Sequence, residues 1–99
     1  MTVAGLEVDL EQLDMLCRRY GVARLEVFGS VARGEADENS DLDLLYELVP
    51  ASKLGWEIDD LQDEFSRLFG RPVDLVSKRA LHRRLRQVVL SEARDLYPA

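Results

Sequence analysis

Asp41 and Asp43 are the residues of this chain best placed to do chemistry. They stand either side of Leu42 in Ser40-Asp41-Leu42-Asp43-Leu44, a run that continues as a strand. Side chains two apart on a strand point to one face, so both carboxylates look one way while Leu42 and Leu44 look the other. Like charges that close repel and raise each other's pKa unless a cation stands between them. Hard oxygen ligands on one face suit Mg²⁺, which takes one or two carboxylates and leaves its other positions to water and substrate phosphate. Asp is uncommon inside strands, so two opening one strand need a reason. The plainer alternative keeps Ser40-Asp41 in a turn and makes Asp43 the exposed half of an alternation.

Two further places bear on that pair. Gly29-Ser30 follows the apolar run Val22 to Phe28. Gly29 permits a backbone geometry, or a closeness of approach, that a Cβ would block. Ser30 is positioned to cap a helical turn over Val31 to Arg33, whose first N–H groups suit phosphate. Gly-Ser pairs are common in turns, and Arg33 reads equally as a phosphate partner or as a brace for the loop. The second place is Asp74, a single acid in the short apolar strand Val73-Asp74-Leu75-Val76. If Val73 and Leu75 face the core, Asp74 faces away from it. A third carboxylate beside the first pair would complete a two-metal site of the kind used in phosphoryl and nucleotidyl transfer.

The elements that must position these groups are legible in part. Asp9 to Tyr20 reads as a helix with Leu10, Leu13, Leu16, Cys17 and Tyr20 as its apolar stripe, Asp9 as N-cap and Gly21 as stop. Cys17 lies on that stripe as a small buried residue, not a nucleophile. Val22 to Phe28 reads as a strand with Leu25 and Val27 on one face, and Asp41 to Val49 as a second strand closed by Pro50. Glu47 shares the face of the Asp pair as a solvated neighbour, not a ligand. Gly34 to Ser40 is a polar surface loop. Trp56 to Phe69 reads as a helix, with Glu57, Asp59, Asp60, Asp63 and Glu64 as its wet face. Lys78 to about Tyr97 reads as helical with a break near Ser91. Its stripe is Leu81, Leu85, Val88, Val89, Ala93 and Leu96, and a basic surface band runs from Lys78 and Arg79 through His82, Arg83 and Arg84 to Arg86.

Ninety-nine residues make one domain, 1–99, with a modest core and no deep enclosed pocket. The net charge of −6 argues against general nucleic-acid binding. It is unevenly spread: residues 1–70 hold 16 acids against 6 bases, and residues 71–99 hold 3 acids against 7 bases. One cysteine excludes an internal disulfide and fits a reducing compartment. No apolar run is long enough to span a bilayer, and the first ten residues lack the pattern of a signal peptide. A cytoplasmic protein is expected.

Taken together, Gly29-Ser30-Val31-Ala32-Arg33-Gly34, Ser40-Asp41-Leu42-Asp43-Leu44 and Val73-Asp74-Leu75-Val76 resemble the minimal nucleotidyltransferases (MNT proteins) of the polymerase-β-like superfamily. The ending Leu90-Ser91-Glu92-Ala93-Arg94-Asp95-Leu96-Tyr97 is similar to the same family. The resemblance implies an α/β fold, a small mixed sheet of about three strands flanked by helices. It implies that Asp41, Asp43 and Asp74 bind two Mg²⁺ ions and act in catalysis, and that Gly29, Ser30 and Arg33 hold a nucleotide triphosphate, ATP. Members of the family commonly act as antitoxins of HEPN-domain toxins, in toxin–antitoxin pairs of the type VII kind. Some transfer AMP to a tyrosine of the toxin. The resemblance therefore implies a protein adenylyltransferase with a HEPN toxin as partner. Its competitors are an antitoxin that neutralises by binding alone, and transfer of a nucleotide to a small molecule or an RNA end.

Overall fold

The computed structural model describes residues 2–3, 5–35, 40–50, 55, 57–81 and 83–98, and leaves out the side chains of residues 2, 3, 6 and 83–85. Trp56 and His82, both singled out above, lie outside the described residues, as do positions 36–39 of the expected loop and the side chains of Arg83, Arg84 and Leu85.

The chain begins with two short paired strands, β1 (Thr2–Val3) and β2 (Leu6–Glu7). Helix α1 (Leu10–Tyr20) follows as expected. The Asp9 carboxylate accepts from the Gln12 N–H at 3.3 Å, and Gly21 ends the helix in the left-handed conformation with φ +73°. Leu13 and Cys17 are buried, whereas Leu10, at the start of the stripe, is exposed. Burial, and then the charge of Asp14, pushes the Cys17 thiol up to about 12, so it is an inert core residue.

Strand β3 (Val22–Phe28) runs into a single helical turn, α2 (Gly29–Ala32), and β4 (Leu42–Leu48) returns antiparallel to it. Helix α3 (Glu57–Phe69) then leads to β5 (Val73–Ser77), which lies parallel to β4. The acids of α3 form its outer face as expected, while Leu61 and Phe65 enter the core. Leu25, Val27, Leu42, Leu44 and Val73 meet Leu13, Cys17, Leu61 and Phe65 there. Burying such apolar surface is the main driving force of the fold.

The last third departs from the continuous helix expected there. Lys78–Ala80 is a short 3₁₀ turn, Leu81 is extended (φ −64°, ψ 127°), and α4 covers Arg83–Glu92. Arg94–Tyr97 is a strand, β6, antiparallel to β3. The sheet thus has four strands, not about three, in the order β5-β4-β3-β6. Leu96 satisfied the helical spacing equally well. Its complete burial and the backbone pairing offered by the open edge of β3 decide for strand.

Lys78 is also not part of a surface band. Its side chain is only 16% exposed, and its Nζ donates to Glu26 Oε1 at 2.8 Å and stands 3.1 Å from Glu47 Oε1. Glu26 is itself buried, and a carboxylate taken out of water needs such a partner. The hydrogen bond to Glu26 and the two negative charges hold the Lys78 ammonium above its ordinary pKa.

If Arg94–Tyr97 is a core-facing strand, Leu96→Ala will remove about 2–5 kcal/mol of stability, read from urea unfolding. A loss near zero would mean that this segment contributes no core.

Candidate active site

The register of the sheet brings the carboxylates together. Phe28 pairs with Asp43 across β3 and β4, and Asp43 pairs with Asp74 across β4 and β5. Register partners share a face, so Asp43 and Asp74 stand side by side, away from the face that carries Leu42, Leu44, Val73 and Leu75. Asp41 lies two residues before Asp43, just outside the strand and exposed. The ladder is intact up to this point, because the Leu42 N–H donates to Pro72 O at 2.8 Å.

Asp74 belongs to an edge strand, yet the backbone around it is fixed. The Val73 N–H donates to Ser66 Oγ and the Leu75 N–H to Gln62 Oε1, each at 3.1 Å. Ser66 Oγ in turn donates to Gln62 O at 2.9 Å. Two polar side chains of α3 thus take up the outward amides either side of Asp74. Nothing in the sequence marked Gln62 or Ser66 for this task, because both read as ordinary polar positions of an amphipathic helix.

Gly29 is required twice over. Its φ is +74°, a conformation that L side chains rarely adopt, and a Cβ added there would overlap the Asp43 carboxylate. The turn after it is tied by backbone bonds: the Arg33 N–H donates to Gly29 O at 3.1 Å and the Glu35 N–H to Ser30 O at 2.9 Å. Val31 and Ala32 anchor it in the core. Ser30 does not cap the turn as expected. The cap position falls on Phe28, which offers no side-chain hydrogen bond, and Ser30 sits half-buried inside the first turn. Arg33 braces the loop. Its Nε donates to Glu35 Oε2 and its Nη1 to Glu92 Oε2, each at 3.0 Å. Glu92 is a third residue whose part here the sequence did not mark, since it is 59 positions away.

Asp43 is half-buried, while Asp41 and Asp74 are exposed. Burial first, then the charges of Asp74 and Asp41, push the Asp43 carboxyl above its ordinary range; Arg33 pulls it down without cancelling them. Among the described residues no trio of His, Cys, Asp or Glu side chains is gathered tightly enough to hold a metal ion as it stands. None of the three acids forms an ion pair among the described residues either. The donor set is hard carboxylate oxygen, with no cation paired to it among the described residues. That chemistry fits a divalent cation, with the exposed carboxylates of Asp41 and Asp74 turning toward Asp43.

At the far end of β4 and β5 a cavity of about 560 Å³ is lined by Tyr46, Leu48, Pro50, Ser77, Arg79 and Arg86 among others. Arg79 and Arg86 are what the described residues show of the expected basic band, and both are exposed.

A nucleotidyltransferase domain model matches residues 11–96. The protein adenylyltransferase MntA of Thermococcus cleftensis is 39% identical over 77 residues, which cover 78% of this chain and 77% of that protein. A solved structure of a candidate minimal nucleotidyltransferase superposes with a TM-score of 0.70 at 45% identity, over 91% of this chain and 98% of that one. A complex of tri-AMPylated Shewanella oneidensis HEPN toxin with MNT antitoxin matches with a TM-score of 0.63 over 91% of this chain and 70% of that one. Its 20% identity speaks for the fold alone.

Gly34 shares the positive φ of Gly29 but has open space where a Cβ would go. Gly34→Ala is therefore expected to lose about 1–2 kcal/mol of stability from the backbone alone, and Gly29→Ala to lose more, both read from urea unfolding. Equal losses would show that Asp43 yields freely. Asp43 supplies a second test. A carboxyl raised in the folded state favours folding below its unfolded pKa, and that contribution is lost as the pH rises through the folded pKa. Asp43→Asn should accordingly raise the Tm of the metal-free protein at neutral pH, with a gain that shrinks as the pH falls to about 4. A lower Tm at neutral pH would contradict a carboxyl raised by burial and by the neighbouring charges.

Proposed function

The chain belongs to the nucleotidyltransferase domain family, and from that premise we propose that it is a Mg²⁺-dependent protein adenylyltransferase, the antitoxin of a cytoplasmic HEPN-domain toxin. It moves AMP from ATP to a tyrosine hydroxyl of that toxin and so inactivates it. The observation that carries this reading is the row Asp43–Asp74, with Asp41 beside it and Gly29 packed against the Asp43 carboxylate. The names of the relatives support protein as the acceptor, and the fold neighbour supports a HEPN partner.

In this reading the Gly29-Ser30 turn receives the triphosphate, since only a glycine leaves room for backbone and Asp43 to approach so closely. Arg33 offers positive charge beside it. Asp41, Asp43 and Asp74 are the residues that would hold the divalent ions. When bound, the ions neutralise the phosphates and stabilise charge on the attacking and leaving oxygens. The tyrosine oxygen bonds to the α-phosphorus as the bond to pyrophosphate breaks, and the hydroxyl proton passes to a carboxylate. Asp74, exposed on the edge strand, is best placed to take it. The acceptor hydroxyl belongs to another folded protein, the reading that the relatives' names support.

The test is the intact mass of the HEPN partner co-expressed with this protein. One or more added AMP units are expected with the wild type and none with Asp41→Asn/Asp43→Asn. An unmodified but still neutralised partner would replace the enzyme with a binding antitoxin. Metal dependence is checked separately: Mg²⁺ should raise the Tm of the wild type and leave that of the double variant unchanged.

A further inference from the structure

We infer that Glu92 is a positioning residue for Arg33, holding its guanidinium in one orientation so that it meets the nucleotide's phosphates already aimed. The inference rests on the proposed reading of Arg33 as a phosphate partner and adds what keeps it in place.

Arg33 follows directly on α2, the turn whose first residue, Gly29, packs against the Asp43 carboxylate. It is a long side chain at an exposed turn, and left alone it would sample many rotamers. Two carboxylates remove that freedom, Glu35 at Nε and Glu92 at Nη1. Nη2 keeps its hydrogens without a partner among the described residues, so the guanidinium can be held and still donate to an anion. Exposed ion pairs add little to stability. Two on one surface arginine therefore count for what they orient.

The two acids are not equivalent. Glu35 is two residues from Arg33 and moves with the same turn. Glu92 ends α4, and the chain then enters β6, where Arg94 is in register with Val27. Val27 stands two residues before Gly29 on β3. Glu92 is thus tied by backbone pairing to the strand end from which the phosphate turn departs, while belonging to a different element. It is also the less exposed of the two, at 31% against 64%. It gives Arg33 a reference point fixed to the sheet.

Charge alone predicts the opposite effect. A carboxylate near a triphosphate repels it, so removing Glu92 would tighten nucleotide binding if its charge were all that mattered. Positioning predicts weaker binding, and only while Arg33 is present.

The experiment measures the affinity of the full chain for α,β-methylene-ATP with Mg²⁺ by calorimetry, with Tm recorded for each variant. Arg33→Ala is expected to weaken binding about tenfold or more, as for a lost charge-assisted contact. Glu92→Ala is expected to weaken it about fivefold, the scale of an exposed ion pair. The double variant should bind no worse than Arg33→Ala. Glu92→Gln, whose amide oxygen still accepts from Nη1, should retain most of the affinity, and it keeps the test open if Glu92→Ala fails to fold. Tighter binding in Glu92→Ala, or an equal further loss in the Arg33→Ala background, would overturn the inference. If Arg33→Ala binds like the wild type, the proposed reading of Arg33 fails as well. If Arg33→Ala weakens binding but the Glu92 variants do not, only the positioning by Glu92 fails.

Discussion

Two carboxylates, Asp43 and Asp74, sit opposite each other on adjacent parallel strands, and the sheet around them is built to tolerate their repulsion. Like charges across a strand pair are destabilising, and burial first, then the charges of Asp74 and Asp41, raise the Asp43 carboxyl above its ordinary range. The cost is borne by β4, an interior strand of the sheet. Leu42, Leu44 and Leu45 are each almost fully buried, which holds the strand whatever Asp43 does. On β5 the backbone amides either side of Asp74 are taken by Gln62 and Ser66 of α3. Both carboxylates thus stand on strands held by contacts independent of them.

The same sheet face handles its acids in two ways. Toward the other end of β3 and β4, Glu26 and Glu47 share Lys78, and Arg24 stands 3.8 Å from Glu26 and 3.3 Å from Asp95. There each buried or half-buried carboxylate has a cation, which is what structure alone requires. Around Asp41, Asp43 and Asp74 no ion pair is formed among the described residues. Arg33, close enough to act on Asp43, is bound instead to Glu35 and Glu92. A protein that supplies ammonium and guanidinium groups at one end of a face and withholds them at the other leaves a negative charge for something else to meet.

The sequence revealed what depends on local spacing. Asp43 on a strand, Gly29 at a crowded turn, the capped α1 and the burial of Cys17 all follow from period, side-chain size and capping chemistry within a few residues, whereas Asp41 falls just before the strand. What it hid depends on tertiary partners. Arg94 to Tyr97 kept a helical spacing, and only the free edge of β3 made it a strand. Lys78 read as one of a basic run, because the two acids that draw it inward lie 52 and 31 positions earlier in the chain. Ser30 looked like a cap because Ser commonly caps helices. The turn begins two residues sooner, since Gly29 with positive φ can itself open it. Arg33 was open between phosphate partner and brace; the structure shows the brace, with Nη2 left over.

Size then bears on how such a site meets its substrates. The fold spends its sheet and both large helices on one core, and places Asp74 on an edge strand and Asp41 outside the ladder. Among the described residues the carboxylates are therefore reached from outside rather than through a pocket mouth. A small acceptor on so open a surface would find few walls to hold it, and binding energy from distant contacts would be missing. A folded protein brings those contacts with it. Its own surface can supply the enclosure that the described residues do not, and docking then does the orienting. On that argument the openness of the site is itself a form of specificity. It suits an acceptor hydroxyl carried by a macromolecule far better than a free small molecule, and it makes the acceptor's surface part of the catalytic geometry.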